Sequence, residues 1–216
     1  MSKRRNEIYR QKHNLCFYKY ELTDETKIYK GQMLYRIRAL KDLPTHGVKK
    51  GDLGGWVQSP FNLSNKGECW IKDEAKVYEK GSVKNNSLVS ECAEVKGGAI
   101  IMGQAVIKGF ARVTGGARVM EDAVVQDFGL VYGYAKIRGK AVVCDRGKVY
   151  ADSIVDGDVV IDWNMAIAVK DDTIVRKSVE EKKARKAMYR EKAKAEKGNV
   201  VHGYYGNYEA MDENEY

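Results

Sequence analysis

The sequence predicts an all-β solenoid: a left-handed, triangular parallel β-helix with a small N-terminal β cap and a C-terminal α-helix. Two observations carry this. From Cys69 to Ala168 the third residue of every six is Val or Ile, at 71, 77, 83 and so on to 167 without a shift of frame. The first residue of each six is small (Ala, Gly, Ser or Cys) until Val159 and Met165 close the series. A fixed short period marks a solenoid, and six residues is a β-helix period. An amphipathic α-helix needs apolar residues three and four apart, which this spacing does not supply.

Each six reads as one short strand and one corner. Within the triplet small-x-Val, the first and third residues point inward and the second outward, the two-residue period of a strand. β-branched Val and Ile suit extended backbone. The other three residues are rich in Gly, Asn and Asp, as at Asn85-Asn86, Gly97-Gly98, Gly115-Gly116 and Gly157-Asp158, residues that accept tight or left-handed corners. Three sixes make a triangular coil of eighteen. Sixteen of them, from Cys69 to Asn164, give a little over five coils and a filled prism about 25 Å tall at roughly 4.8 Å per strand. Prisms of this repeat length are left-handed, against the usual crossover rule.

Residues eighteen apart then share a flat outer face. One face shows Lys76, Glu94, Arg112, Leu130 and Lys148, and a second Ser82, Ile100, Arg118, Lys136 and Ile154. The third shows Leu88, Val106, Val124, Val142 and Val160, all aliphatic, with Phe110 and Phe128 at the adjoining corner. A stacked aliphatic face suggests a contact surface. The expectation is a homo-oligomer, a trimer, packed along it; the alternative is cover by another segment of the same chain.

Before the prism, residues 1–16 form a basic arm and 17–68 the cap. Phe17–Leu22, Lys27–Tyr29 and Leu34–Arg38 read as strands, with a turn at Thr23-Asp24-Glu25 and a hairpin at Lys30-Gly31-Gln32. Pro44 and Gly47 break the pattern, and Gly51–Val57 follows. A solenoid needs a cap over its first coil, and Trp56 and Trp70 suit that packing. The glycine-rich stretch lacks the G-x-x-x-x-G-K-[ST] spacing of a phosphate loop. After the prism, 169–197 reads as a basic charged helix with Ser178 and Glu181 in capping-box spacing. Residues 198–216 read as an acidic, tyrosine-rich, disordered tail.

Here a resemblance becomes specific. Gly51-Asp52-Leu53-Gly54-Gly55-Trp56-Val57, Asn62-Leu63-Ser64, Cys69-Trp70-Ile71 and Ala75-Lys76-Val77-Tyr78 resemble the start of the YdcK-type hexapeptide-repeat proteins, and Leu34–Leu40 resembles their opening strand. The likeness covers about residues 18–168. It implies a left-handed β-helix and a phage or prophage origin, and it implies no reaction.

Charge and chemistry narrow the function further. The net charge of +8 comes from 38 Lys and Arg against 30 Asp and Glu. Its excess lies in residues 1–68, with 14 against 7, while 69–168 carry 13 of each. A neutral prism lacks the clustered cations of a nucleic-acid platform. A nucleic-acid role, if any, falls to Lys3, Arg4 and Arg5 and to the helix residues Lys182, Lys183, Arg185, Lys186 and Arg190. Acyltransferases built on such prisms use a coil histidine as general base, because proton abstraction near neutral pH needs a pKa near 7. The histidines here are His13, His46 and His202, none of them in the coils. Prism-type carbonic anhydrases need three coil histidines for their metal. The acidic pairs Glu121-Asp122 and Asp156/Asp158 read as corner residues.

The expectation is therefore a non-catalytic structural or binding protein with no cofactor or metal, a rigid oligomeric block for a protein or small ligand. Tyr78, Tyr132 and Tyr150, one column, and Tyr134 are its candidate partner contacts, and Tyr132 and Tyr150 would stack. The alternatives are the nucleic-acid role and an atypical acyltransferase. Four scattered cysteines with no C-x-x-C pair argue against zinc and a disulfide framework. No apolar run approaches the roughly 20 residues of a membrane span, and no apolar segment follows the basic start, so a cytoplasmic protein is expected, in the bacterial host if phage-encoded.

Overall fold

The computed structural model describes residues 18–163, 165–169 and 174–175. They form an all-β parallel solenoid of about six turns, preceded by a three-stranded cap. Strands of mostly two residues recur every six residues and pair in parallel with the strand eighteen residues on. Val106 meets Val124, Arg112 meets Leu130 and Arg118 meets Lys136. Three sheets result. The aliphatic sheet holds Trp70–Ile71, Leu88–Val89, Val106–Ile107, Val124–Val125, Val142–Val143 and Val160–Ile161. A second six-stranded sheet runs from Ser82–Val83 to Ile174–Val175. The remaining strands extend the cap into a nine-stranded sheet ending at Ala166–Val169.

The core follows the six-residue frame. Third-position residues from Ile71 to Ile161 are fully buried, and the small first-position residues Ala75, Ala93, Ala99, Ala105, Ala111, Ala117, Ala123, Ala135 and Ala141 lie with them. Small and branched residues alternate inward, so little room is left inside and interior packing is dense.

The corners explain the other half of each repeat. From Asp73 to Gly157 the fifth residue of every six has φ between 52° and 78°. Glycine takes this left-handed conformation freely, whereas other residues lose about 1–2 kcal/mol. Several of the non-glycine residues here gain a hydrogen bond across the turns. Glu79, Glu91 and Glu121 each accept the backbone N–H of a glycine eighteen residues on, Gly97, Gly109 and Gly139, at 2.9, 3.0 and 2.9 Å. Asp73 and Asp127 accept from Glu91 and Asp145 in the same way. The corner acids are thus part of the vertical backbone pairing.

The cap consists of β1 (Tyr20–Tyr29), β2 (Gln32–Ala39) and β3 (Leu53–Val57). The sequence suggests a turn at Thr23–Glu25. The structure instead runs one strand through it, with a register shift between Leu22 and Thr26, so the polar residues form a bulge. The hairpin closes at Lys30 and Gly31, both at positive φ, the pattern of a two-residue primed turn. β3 then pairs in parallel with Lys76–Val77 and Leu63 bridges Val83, so the chain makes one irregular turn before the regular coils begin. Gly54 permits that closure: a Cβ there would stand 2.6 Å from Ile37, the Ile71 carbonyl and the Trp70 ring. Trp56 and Trp70 are both buried.

At the other end the pairing runs past Ala168. Ile174 and Val175 pair with Ile154 and Val155 at an offset of twenty residues rather than eighteen. Two extra residues break the frame that the sequence pattern follows.

Candidate functional site

The aliphatic face is built by the second residue of each triplet. Leu88, Val106, Val124, Val142 and Val160 pair directly, one per turn, and each is half-buried while its inward neighbour is fully buried. Trp70 heads the column but is buried among cap residues, so the face begins where the cap ends. At the bend between Val106–Ile107 and Arg112–Val113 stands Phe110, 57% exposed, and one turn on Phe128, 42% exposed. Their rings lie 5.3 Å apart and 6° from parallel. Phe110, Phe128 and the five half-buried aliphatics together present more apolar surface than isolated exposed residues do.

The tyrosine column is only partly as expected. Tyr132 and Tyr150 do stack, 4.9 Å apart and 2° from parallel, and both are half-buried. Tyr134 is exposed over Gly116, whose missing side chain makes room for its ring. Tyr78 is a correction: it is 1% exposed and unavailable as a surface contact. The tip of the β1–β2 hairpin bends over the sheet here, and Tyr29 meets the Tyr78 ring edge-on at 6.0 Å.

That tip also creates a polar cluster with no signature in the repeat pattern. Glu94, an outward second-position residue, is 6% exposed. It accepts from the Tyr29 hydroxyl, from the Tyr78 hydroxyl at 3.0 Å and from Lys30 Nζ at 3.5 Å. Burial pushes its carboxyl up, but the Tyr29 hydroxyl, the Lys30 charge and the Tyr78 hydroxyl outweigh this and leave it below the ordinary range. Burial and the Glu94 charge push the Tyr78 phenol well above its ordinary value. A turn earlier, Glu74 accepts from Lys27 at 2.8 Å, Arg36 at 2.8 Å and the Trp56 indole at 3.1 Å. Lys27 Nζ stands 4.0 Å above the Trp56 ring. Two acids of the first turns thus hold the hairpin on the outer face. The only sequence signal is an acid between Lys76 and Arg112 in one outward column.

Lys3, Arg4, Arg5, Lys182, Lys183, Arg185, Lys186 and Arg190 lie outside the described residues, as does the C-terminal helix read over 169–197, apart from Val169 and Ile174–Val175, which are strand. His46 lies in the tight turn between Leu43 and Val48; its Nε2 is buried without a hydrogen-bond partner and burial lowers its pKa. Glu121 is engaged with Gly139 and Asp156 with Arg138 at 3.2 Å. Among the described residues no three of His, Cys, Asp and Glu gather where a metal ion could sit, and no helix is long and apolar enough to cross a membrane. No protein-family model matches the chain, and no curated protein matches it.

Proposed function

We propose that this chain is a non-catalytic structural or binding protein, a left-handed triangular β-helix of hexapeptide repeats that works as a rigid homotrimeric block. The observation that carries the reading is the aliphatic column Leu88, Val106, Val124, Val142 and Val160, one residue per turn in parallel register. Rigidity follows from the ladders: each turn takes up the backbone groups of the next, so the surface residues keep fixed spacing. A flat apolar face on such a block is buried by association, and closed symmetric assembly is the common route. Phe110 and Phe128 widen the contact. The Tyr132–Tyr150 stack and Tyr134 belong to a different bend and form the surface offered to a further protein or small ligand. The sequence resemblance to YdcK-type proteins agrees with a repeat scaffold and fits a phage-encoded protein of the bacterial cytoplasm.

The test is Val124→Asp, at the middle of the column. Its side chain points outward, so the fold, read by circular dichroism, should be kept while gel filtration shifts from trimer to monomer. An unchanged elution volume for the folded variant removes the face from the interface.

A further inference from the structure

The first inward residue of the first repeat is Cys69, and it faces a buried amine. Lys19, just ahead of β1, is fully buried, as is Cys69. Lys19 Nζ stands 3.0 Å from Cys69 Sγ, 2.6 Å from the Cys69 carbonyl and 3.3 Å from the Gly67 carbonyl. All three lie within hydrogen-bond reach of Nζ. Sγ in turn lies 3.4 Å from the Val83 carbonyl and 3.5 Å from that of Ser64, which can accept a hydrogen bond from the thiol. Further along the same inward column stand Ser87, Ala105, Ala123 and Ala141, so alanine would satisfy the volume. Burying a charged lysine beside a thiol is costly, and neither group serves the aliphatic face. Burial lowers the pKa of the Lys19 ammonium and raises that of the Cys69 thiol.

We infer that Lys19 and Cys69 form an oxidisable pair, in which hydrogen peroxide or a similar two-electron hydroperoxide joins Nζ to Sγ as a sulfenamide cross-link. The Lys19 amine first takes the thiol proton. The thiolate attacks one peroxide oxygen, the O–O bond breaks, and Sγ becomes a sulfenic acid; the departing hydroxide takes the proton back from Lys19 and leaves as water. Sulfenic acids condense with nearby thiols and nitrogens. Lys19 Nζ, already in contact, attacks Sγ, the S–O bond breaks, and the hydroxyl leaves as water with a proton from nitrogen. The sum is thiol, amine and peroxide giving an S–N bond and two waters. Sulfur gives up two electrons, peroxide takes them, and the chain loses two hydrogens. The second step needs no rearrangement, the main advantage of held reactants. The Ser64–Gly67 loop that supplies carbonyls to the pair has Lys66 and Gly67 exposed. The bond would join residues 50 apart in the chain and tie the cap to the first coil.

The test treats the full chain with hydrogen peroxide, then denatures, alkylates and maps peptides by mass. The expected product links the Lys19 and Cys69 peptides at two hydrogens below their summed mass, and dithiothreitol returns an alkylatable Cys69. Lys19→Arg removes the primary amine and should lose the linked peptide. Half-exposed Cys92 calibrates the dose. If Cys92 is fully oxidised while Cys69 still alkylates, or goes to sulfinic acid without joining Lys19, the inference fails. Both outcomes are read on the wild-type chain, so they stand even if a variant misfolds.

Discussion

Replacing Glu94 with alanine should loosen the cap from the solenoid. The carboxylate holds two phenol protons in a site 6% exposed. A hydrogen bond to a charged acceptor contributes about 1.5–3 kcal/mol, and the half-exposed Lys30 pair adds under about 1 kcal/mol. Against this, the variant no longer desolvates a carboxylate, and Tyr29 at the hairpin tip can turn to water. The net loss is about 2–4 kcal/mol, a large share of a typical stability of about 5–15 kcal/mol. With a urea slope of about 2 kcal/mol/M the midpoint should fall by roughly 1–2 M. Tryptophan fluorescence is the suitable probe: Trp56 and Trp70 are buried where cap meets coil, while Trp163 is 65% exposed and gives a steady background. Tyr29→Phe should lose about half as much, and Tyr29→Phe combined with Glu94→Ala little more than Glu94→Ala alone. The pH dependence has a definite sign. The folded carboxyl lies below its ordinary range, so its contribution is complete above the unfolded value of about 4.3 and is lost as pH falls through the lower folded value. The gap between wild type and Glu94→Ala should close in that acid window. A midpoint unmoved by Glu94→Ala at pH 7 would refute the reasoning, as would full additivity with Tyr29→Phe.

Other perturbations probe the frame itself. Gly54→Ala drives a Cβ to 2.6 Å from the Ile71 carbonyl and two core side chains, and should cost at least the roughly 1–3 kcal/mol of an overpacked core, read as a lower urea midpoint. Ala151 sits at φ 58°, so Ala151→Gly should stabilise by about 1 kcal/mol in thermal unfolding. Glu121→Ala keeps the left-handed corner but drops the bond to Gly139, and should destabilise by about 1 kcal/mol; a gain there would show that the corner acids are incidental.

Much of the solenoid was legible because its period is unbroken. One residue position in three is fixed by the interior, and the eighteen-residue pairing follows from three six-residue repeats per turn, so Val106 opposite Val124 and the Tyr132–Tyr150 stack could be placed from spacing alone. The buried Tyr78, Glu94 and Lys19 were missed for one cause, contacts between segments that no repeat encodes. Tyr78 shares a column with Tyr132, yet the hairpin tip buries it. Glu94 looks like any outward acid until Tyr29 reaches it. The polar triplet Thr23–Glu25 has turn composition, but a bulge absorbs it while β2 keeps the strand paired. The pairing of Ile174–Val175 was hidden by two inserted residues that shift the frame. Lys19 carries no sign in the sequence that it would lie against Cys69.

The reading of the aliphatic face as a trimer interface is tested most directly by native mass spectrometry of the wild-type chain, purified without nuclease. A single species of three unmodified chains, at concentrations down to the low micromolar, is the expected result. A monomer at every concentration would contradict it, and would leave the Leu88–Val160 column to be covered by the chain itself.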